Sequence, residues 1–225
     1  MNIPLFHLFR HRTIQLGLIA VIMATVGATA AIADTPGRGR TAAFEINYLK
    51  FIIDHHASAW RMTELAAGTD QVRDTAPNPN EGTSPSPGFP TTAAKSRLDQ
   101  IKSMARQANR VQREEIAKAQ RMLREWYGIE HQPAISADGQ RLIEALETVP
   151  AGIAFDHAFL MLFSRHHYAA LTPSLNCQVN RELDHDALDR YCRGIVHAQV
   201  NEITEMRALL CEAFAVCDYQ ASEGQ

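Results

Sequence analysis

Two histidine pairs, each followed downstream by Gln-x-x-Glu-Ile, constrain this chain most. The first set is His55-His56 with Gln112, Glu115 and Ile116; the second is His166-His167 with Gln199, Glu202 and Ile203. A motif that recurs in the same order marks an internal repeat. Imidazole and carboxylate are also ligands for transition metals. One pattern therefore bears on both architecture and chemistry.

Helical periodicity surrounds each motif. Phe44, Leu49, Phe51, Ile52, Ala59, Met62 and Ala66 predict a helix from Ala42 to Ala67, stopped by Gly68. Apolar residues from Ile101 to Trp126 predict a second over Ala94 to Tyr127, with Gly128 and Pro133 beyond it. A short helix over Ala137 to Glu147 bridges the halves. A third long helix is expected over Phe155 to Leu171, with Pro173 as its breaker, and a fourth over Asp186 to Ala215. No alternating Val/Ile run suggests a sheet. The expected fold is all-α, a four-helix bundle built from two tandem helix-pair repeats. Repeat one covers about 42–128 and repeat two about 153–219, within one domain over 34–225. Residues 71–94 carry Pro77, Pro79, Pro85, Pro87 and Pro90 and read as an insertion, a loop rather than a packed element. Asp34 to Thr41 is rich in Gly and Arg and is expected to be unstructured.

Composition fixes the setting. With 225 residues, 46% of them hydrophobic and 21% charged, the chain can bury one well-packed core. The formal net charge of -3, without a Lys/Arg run, gives no nucleic-acid surface. Arg10, His11 and Arg12, the apolar run Thr13 to Ala28 and Ala31-Ile32-Ala33 read as a signal peptide over 1–33, cleaved after Ala33. Cleavage removes two arginines and no acid, leaving 20 basic and 25 acidic residues, a net -5, and no membrane association. Export to the periplasm or beyond fits Cys177, Cys192, Cys211 and Cys217, which should be bridged in an oxidising compartment. Cys177–Cys192 with Cys211–Cys217 is the simplest of three pairings. The first bridge would tie the loop after one helix to the next helix. A thiolate metal site competes, but no C-x-x-C occurs.

The helical stripes turn the motifs inward. Gln112 and Glu115 fall within the run Ala108, Val111, Ala119, Met122; Gln199 and Glu202 fall between Ile195 and Met206. A buried carboxylate is costly unless paired, protonated or metal-bound. Neighbouring residues on a helix differ by about 100° in direction, so at most one histidine of each pair is expected to point straight at the bundle axis, the other sitting at a helix interface or in a supporting position. Ligands projecting from all four helices are how metal sites are built in bundle cores. His, Glu and the thioethers Met62 and Met206 suit copper, with zinc or iron as alternatives, while Gln112 and Gln199 orient the ligands through hydrogen bonds. Two other readings compete. The same residues could form a metal-dependent oxidoreductase with open coordination positions. Alternatively the carboxylates are paired with core His or with Arg110 or Arg113 and the chain is a structural or interaction module. His131, His157, His185 and His197 read as surface or core residues. No nucleophile elbow, P-loop or dinucleotide fingerprint is present, and no pair of Glu-x-x-His motifs of the di-iron bundle type.

The runs Phe44…His55-His56-Ala57-Ser58-Ala59-Trp60-Arg61-Met62 and Phe155-Asp156-His157-Ala158-Phe159-Leu160…His166-His167, each with its Gln-x-x-Glu-Ile, resemble the family catalogued as domain of unknown function 305. The resemblance covers nearly the whole mature chain. It implies a ferritin-like four-helix bundle, usually exported, some of whose members are similar to periplasmic copper-binding proteins using His and Met. Most members have no assigned activity. The leading expectation, from two repeated ligand sets on inward faces, is an exported bundle that binds metal without catalysis. The chain departs from that family at its methionines. Phe51, Ile52, Leu162 and Phe163 precede the His pairs where methionines are usual. Pro173 and Ala119 stand where Met62 and Met206 have counterparts.

Overall fold

The structure, a computed structural model, describes residues 37–69, 85–180 and 183–222. The leader over 1–33, with its cleavage after Ala33, and residues 71–84 of the Pro-rich stretch lie outside them. Five helices make up the regular structure of the described residues: α1 (Arg40–Ala67), α2 (Asp99–Tyr127), α3 (Ala137–Thr148), α4 (Ile153–Val179) and α5 (Asp186–Phe214). The fold is all-α, as the periodicity requires.

The long helices pack in pairs, α1 on α2 and α4 on α5, and the pairs meet along α1 and α4. Each pairing is antiparallel. Glu45 lies beside Tyr127 and His56 beside Glu115; Ser164 lies beside Met206 and Cys177 beside Cys192. Across the seam, Tyr48 Oη and Ser174 Oγ are 2.9 Å apart. The short α3 contacts α1 and α4.

Three helix boundaries depart from the sequence expectation. Arg40 already belongs to α1, so the segment expected to be unstructured ends earlier. Residues 94–98 are not helical. Lys95 N–H donates to Leu65 O (2.9 Å) and Ser96 N–H to Ala66 O (3.2 Å), which lays this segment along the end of α1. Asp156 of α4 then accepts from Arg97 N–H (3.0 Å) and Leu98 N–H (3.0 Å) and from the Ser96 hydroxyl. Leu98 is the N-cap of α2, and its N–H is among those a helix N-terminus leaves without partners. A carboxylate 57 residues away along the chain thus sets where α2 begins.

The third departure concerns Pro173, which does not break α4: the helix runs on to Val179. Proline removes one backbone donor and crowds the preceding turn. The turn beyond it is held by the Tyr48–Ser174 contact and by the Cys177–Cys192 disulfide. That bridge therefore joins two helices rather than a loop and a helix. Cys211–Cys217 closes the end of α5, where Ala215 takes the left-handed conformation (φ 58°).

The described part of the Pro-rich stretch is also packed, contrary to its reading as a free loop. The buried Ser86 hydroxyl donates to Glu64 Oε1 (2.6 Å), and the Arg61 guanidinium lies 4.8 Å from the centre of the Phe89 ring. Thr69 N–H donates to Thr92 O (2.8 Å). The segment is strapped along the C-terminal half of α1 because that half carries the polar groups to receive it.

The buried apolar side chains fall into two clusters. One gathers Ala59, Met62, Leu65, Ile101, Met104, Ala108, Ile143, Phe155, Phe159, Phe163, Met206 and Leu210. The other gathers Leu49, Ile52, Ile53, Ile116, Leu123, Trp126, Ala170, Leu188, Cys192 and Ile195. On every long helix the motif residues lie between the two. His55-His56 fall between Ile53 and Ala59, Gln112 and Glu115 between Ala108 and Ile116, His166-His167 between Phe163 and Ala170, and Gln199 and Glu202 between Ile195 and Met206. The spacing seen in the sequence is thus a polar layer lying between the two apolar clusters.

Candidate metal centre

Within that layer each helix pair holds one histidine against one glutamate. In the first pair, fully buried His56 places Nε2 3.0 Å from Glu115 Oε2, without the alignment of a hydrogen bond. In the second, fully buried His167 meets Glu202 Oε2 through Nε2. The proton arithmetic of His167 is determinate. Its Nδ1 lies 2.9 Å from Phe163 O, and a carbonyl only accepts, so Nδ1 carries a proton. A bare Nε2 would repel the carboxylate. The contact therefore needs a proton between the two atoms.

The other two histidines have no carboxylate. His55 and His166 stack on one another across the α1–α4 seam, with ring centres 3.9 Å apart and planes inclined by 14°. His166 Nε2 lies 2.8 Å from Ser58 Oγ and 3.0 Å from His55 O. Burial holds both imidazoles well below the usual histidine pKa, and the neighbouring histidines push them further down. Both are therefore neutral near pH 7, with lone pairs free to bind. Both members of each pair thus face the interior, one toward the glutamate of its own helix pair and one toward the seam.

The layer is short of partners. His55 Nε2, His56 Nδ1, His166 Nδ1, Gln199 Oε1 and both amide atoms of Gln112 are buried with no hydrogen-bond partner in the protein. Each such atom costs on the order of 1–3 kcal/mol. Tyr191 closes the layer on one side, donating its hydroxyl to Glu115 O (3.0 Å). Burial and then the Glu115 charge keep that phenol protonated, well above its ordinary pKa.

Not every predicted residue joins this group. Met62 and Met206 are fully buried in the first apolar cluster, and Met206 Sδ accepts from Ser164 Oγ (3.5 Å). The thioethers belong to packing, beside the polar layer. Arg113 bonds Asn109 and Glu64 instead of Glu115. Among the described residues no three His, Cys, Asp or Glu side chains converge into a cage. Two rings stack, and two nitrogens face carboxylates. All four cysteines are in disulfides, which leaves no thiolate for a metal.

Two groups escaped the sequence reading. Ser58 bridges His55 O and His166; only its position three residues after His55 hinted at a backbone bond. Buried Glu45 accepts from Tyr127 Oη and Asp184 N–H (2.9 Å) and pairs with His185 Nδ1 (2.5 Å), whose ring stacks on Trp126. His185 is thus a core histidine.

Comparison with known proteins adds the following. The family model described as domain of unknown function (DUF305) matches residues 91–210. Among solved structures, "CopM in the Cu(I)-bound form" aligns with a TM-score of 0.54 at 20% identity, covering 76% of this chain and 97% of that one. "CopM in the Cu(II)-bound form" gives 0.55 at 18% identity with the same coverage. "CopM in the Ag-bound form (by co-crystallization)" gives 0.52 at 20%, again over 76% and 97%. These likenesses establish a common fold. No curated protein matches the chain.

Proposed function

Because the chain belongs to the DUF305 family, we propose that it binds a transition-metal ion, copper first, at the polar layer and acts without catalysis. One observation carries this reading: the concentration of partnerless buried nitrogen and oxygen atoms on His55, His56, His166, Gln112 and Gln199 beside two carboxylates. Their donor chemistry fits the group. Imidazole and carboxylate suit Cu(II), zinc or iron, and the copper- and silver-bound forms of a protein of this fold favour copper. His55, His56, His166, His167, Glu115 and Glu202 would hold the ion, and Gln112 and Gln199 would orient them. Met62 and Met206 would serve as soft ligands only after a rearrangement of the first apolar cluster. A bound ion would supply the positive charge that the carboxylates face, displacing protons from the layer.

The reading extends to setting and origin. Residues 1–33 direct export, with cleavage after Ala33, and the two disulfides support an oxidising destination. Residues 34–225 form one ferritin-like four-helix bundle whose helix pairs arose as a tandem repeat. Among the described residues no helix is long and apolar enough to cross a membrane.

A second reading has its own observation. His167 Nε2 is already hydrogen-bonded to Glu202, and His56 lies beside Glu115 as an ion pair, as a purely structural polar core would arrange them. Elemental analysis of mature protein after exposure to copper and to zinc, beside a His55→Ala/His166→Ala variant, separates the two. Stoichiometric metal lost in the variant is expected; no metal in either protein makes the chain a structural module.

A further inference from the structure

His166 has two candidate ligand atoms, and the hydrogen bonds around it choose between them. Ser58 Oγ is 2.6 Å from His55 O and 2.8 Å from His166 Nε2. The hydroxyl has one proton, and the carbonyl takes it. His166 Nε2 is also 3.0 Å from that same carbonyl, which cannot donate. Both neighbours of Nε2 therefore require it to carry the proton of the neutral ring. Nδ1 is then the bare nitrogen, and it is buried without a partner. His167, the next residue, has the opposite arrangement, with its proton on Nδ1 toward Phe163 O.

Ser58 is in turn held from outside. Gly139 lies in the first turn of α3, where its N–H donates to the capping Ser136 hydroxyl (3.1 Å). A Cβ on Gly139 would come within 2.6 Å of Ser58 Cβ and 2.9 Å of Ser58 Oγ. Only glycine lets α3 seat directly on this serine, so the short α3 braces the hydroxyl that orients the ring.

We infer that Ser58 is a positioning residue which, braced by Gly139 of α3, presents Nδ1 of His166 as the ligand atom to the metal. This rests on the metal-site reading above. Partners that orient ligating histidines typically change metal affinity about 10–100-fold when removed, and a loss of that size is expected for Ser58→Ala. Gly139→Ala, which crowds the same hydroxyl, should weaken binding too. The double variant should bind no more weakly than the weaker single one, because both act through one contact.

The test pairs two readouts on the mature protein. Nitrogen NMR of 15N-histidine-labelled, metal-free protein reports which nitrogen of His166 is protonated; Nε2–H with a bare Nδ1 is expected, with a mixture of tautomers in Ser58→Ala. Cu(II) titration against a competing chelator reports affinity for wild type and variants, and circular dichroism verifies that they are folded. A proton on Nδ1 in the wild type, or unchanged Cu(II) affinity in a folded Ser58→Ala variant, overturns the inference. Wild-type protein that binds no Cu(II) overturns the metal-site reading instead, and the tautomer measurement then decides the Ser58 anchor by itself.

Discussion

Four imidazoles share one layer, but only two of them face a carboxylate. That division has a consequence for pH. His55 and His166 are held neutral by burial and by the neighbouring histidines, so their folded pKa values lie well below the 6.5 of an unfolded histidine. Above pH about 6.5 neither state binds the proton and their contribution to stability is complete. As pH falls below that value the unfolded chain takes up protons the folded one refuses, and stability drops by up to about 1.4 kcal/mol per unit for each histidine. Denaturant unfolding of metal-free protein at pH 7.5 and pH 5.5 should show this loss, reduced in a His55→Gln/His166→Gln variant. At the other apolar cluster, Glu45→Ala leaves the His185, Tyr127 and Asp184 donors facing nothing. Removing one partner of a buried pair costs about 3–5 kcal/mol, so the midpoint of thermal unfolding should fall clearly while metal uptake is kept. The layer residues were legible in the sequence because their spacing repeats. Ser58, Glu45 and His185 were not: their decisive partners lie 108 and 140 residues away, and no local pattern encodes that pairing.

At the scale of elements, periodicity located all five helices, and it failed where another element supplies the cap. Gly128 illustrates a local stop that reads correctly: it is left-handed (φ 65°), and its N–H returns to Arg124 O. The start of α2 illustrates the opposite, since Asp156 of α4 receives its amides. Asp156→Ala should cost about 2–4 kcal/mol, as the buried Ser96 hydroxyl and two part-buried amides lose a charged acceptor, and hydrogen exchange should rise first at Arg97 and Leu98. Pro173 misled for a related reason, because the helix beyond it is fastened to α1 and α5. The two disulfides should differ in the same sense. Opening Cys177–Cys192, 15 residues apart, with paired Cys→Ala changes should cost about 3 kcal/mol, and opening Cys211–Cys217, 6 apart, about 2 kcal/mol. Urea unfolding of the two double variants measures the difference.

For the molecule as a whole, an ion that binds only the folded chain adds stability by mass action, about 2.7 kcal/mol at a hundredfold excess over its dissociation constant. Copper should therefore raise the unfolding midpoint of the mature protein and a chelator should return it, with no such shift in the His55→Ala/His166→Ala variant. The layer that would hold the ion also divides the interior, since apolar clusters lie above and below it. Leucine-like surfaces slide past one another at little cost, and a bundle lined with them alone has several nearly equal alignments. Here a slip of any long helix by one turn, about 5.4 Å, would carry a histidine or glutamate into a stack of Phe, Ile and Met side chains. The polar layer thus works as a vernier: it admits one alignment of the four rods, and it does so in the chain before any ion arrives.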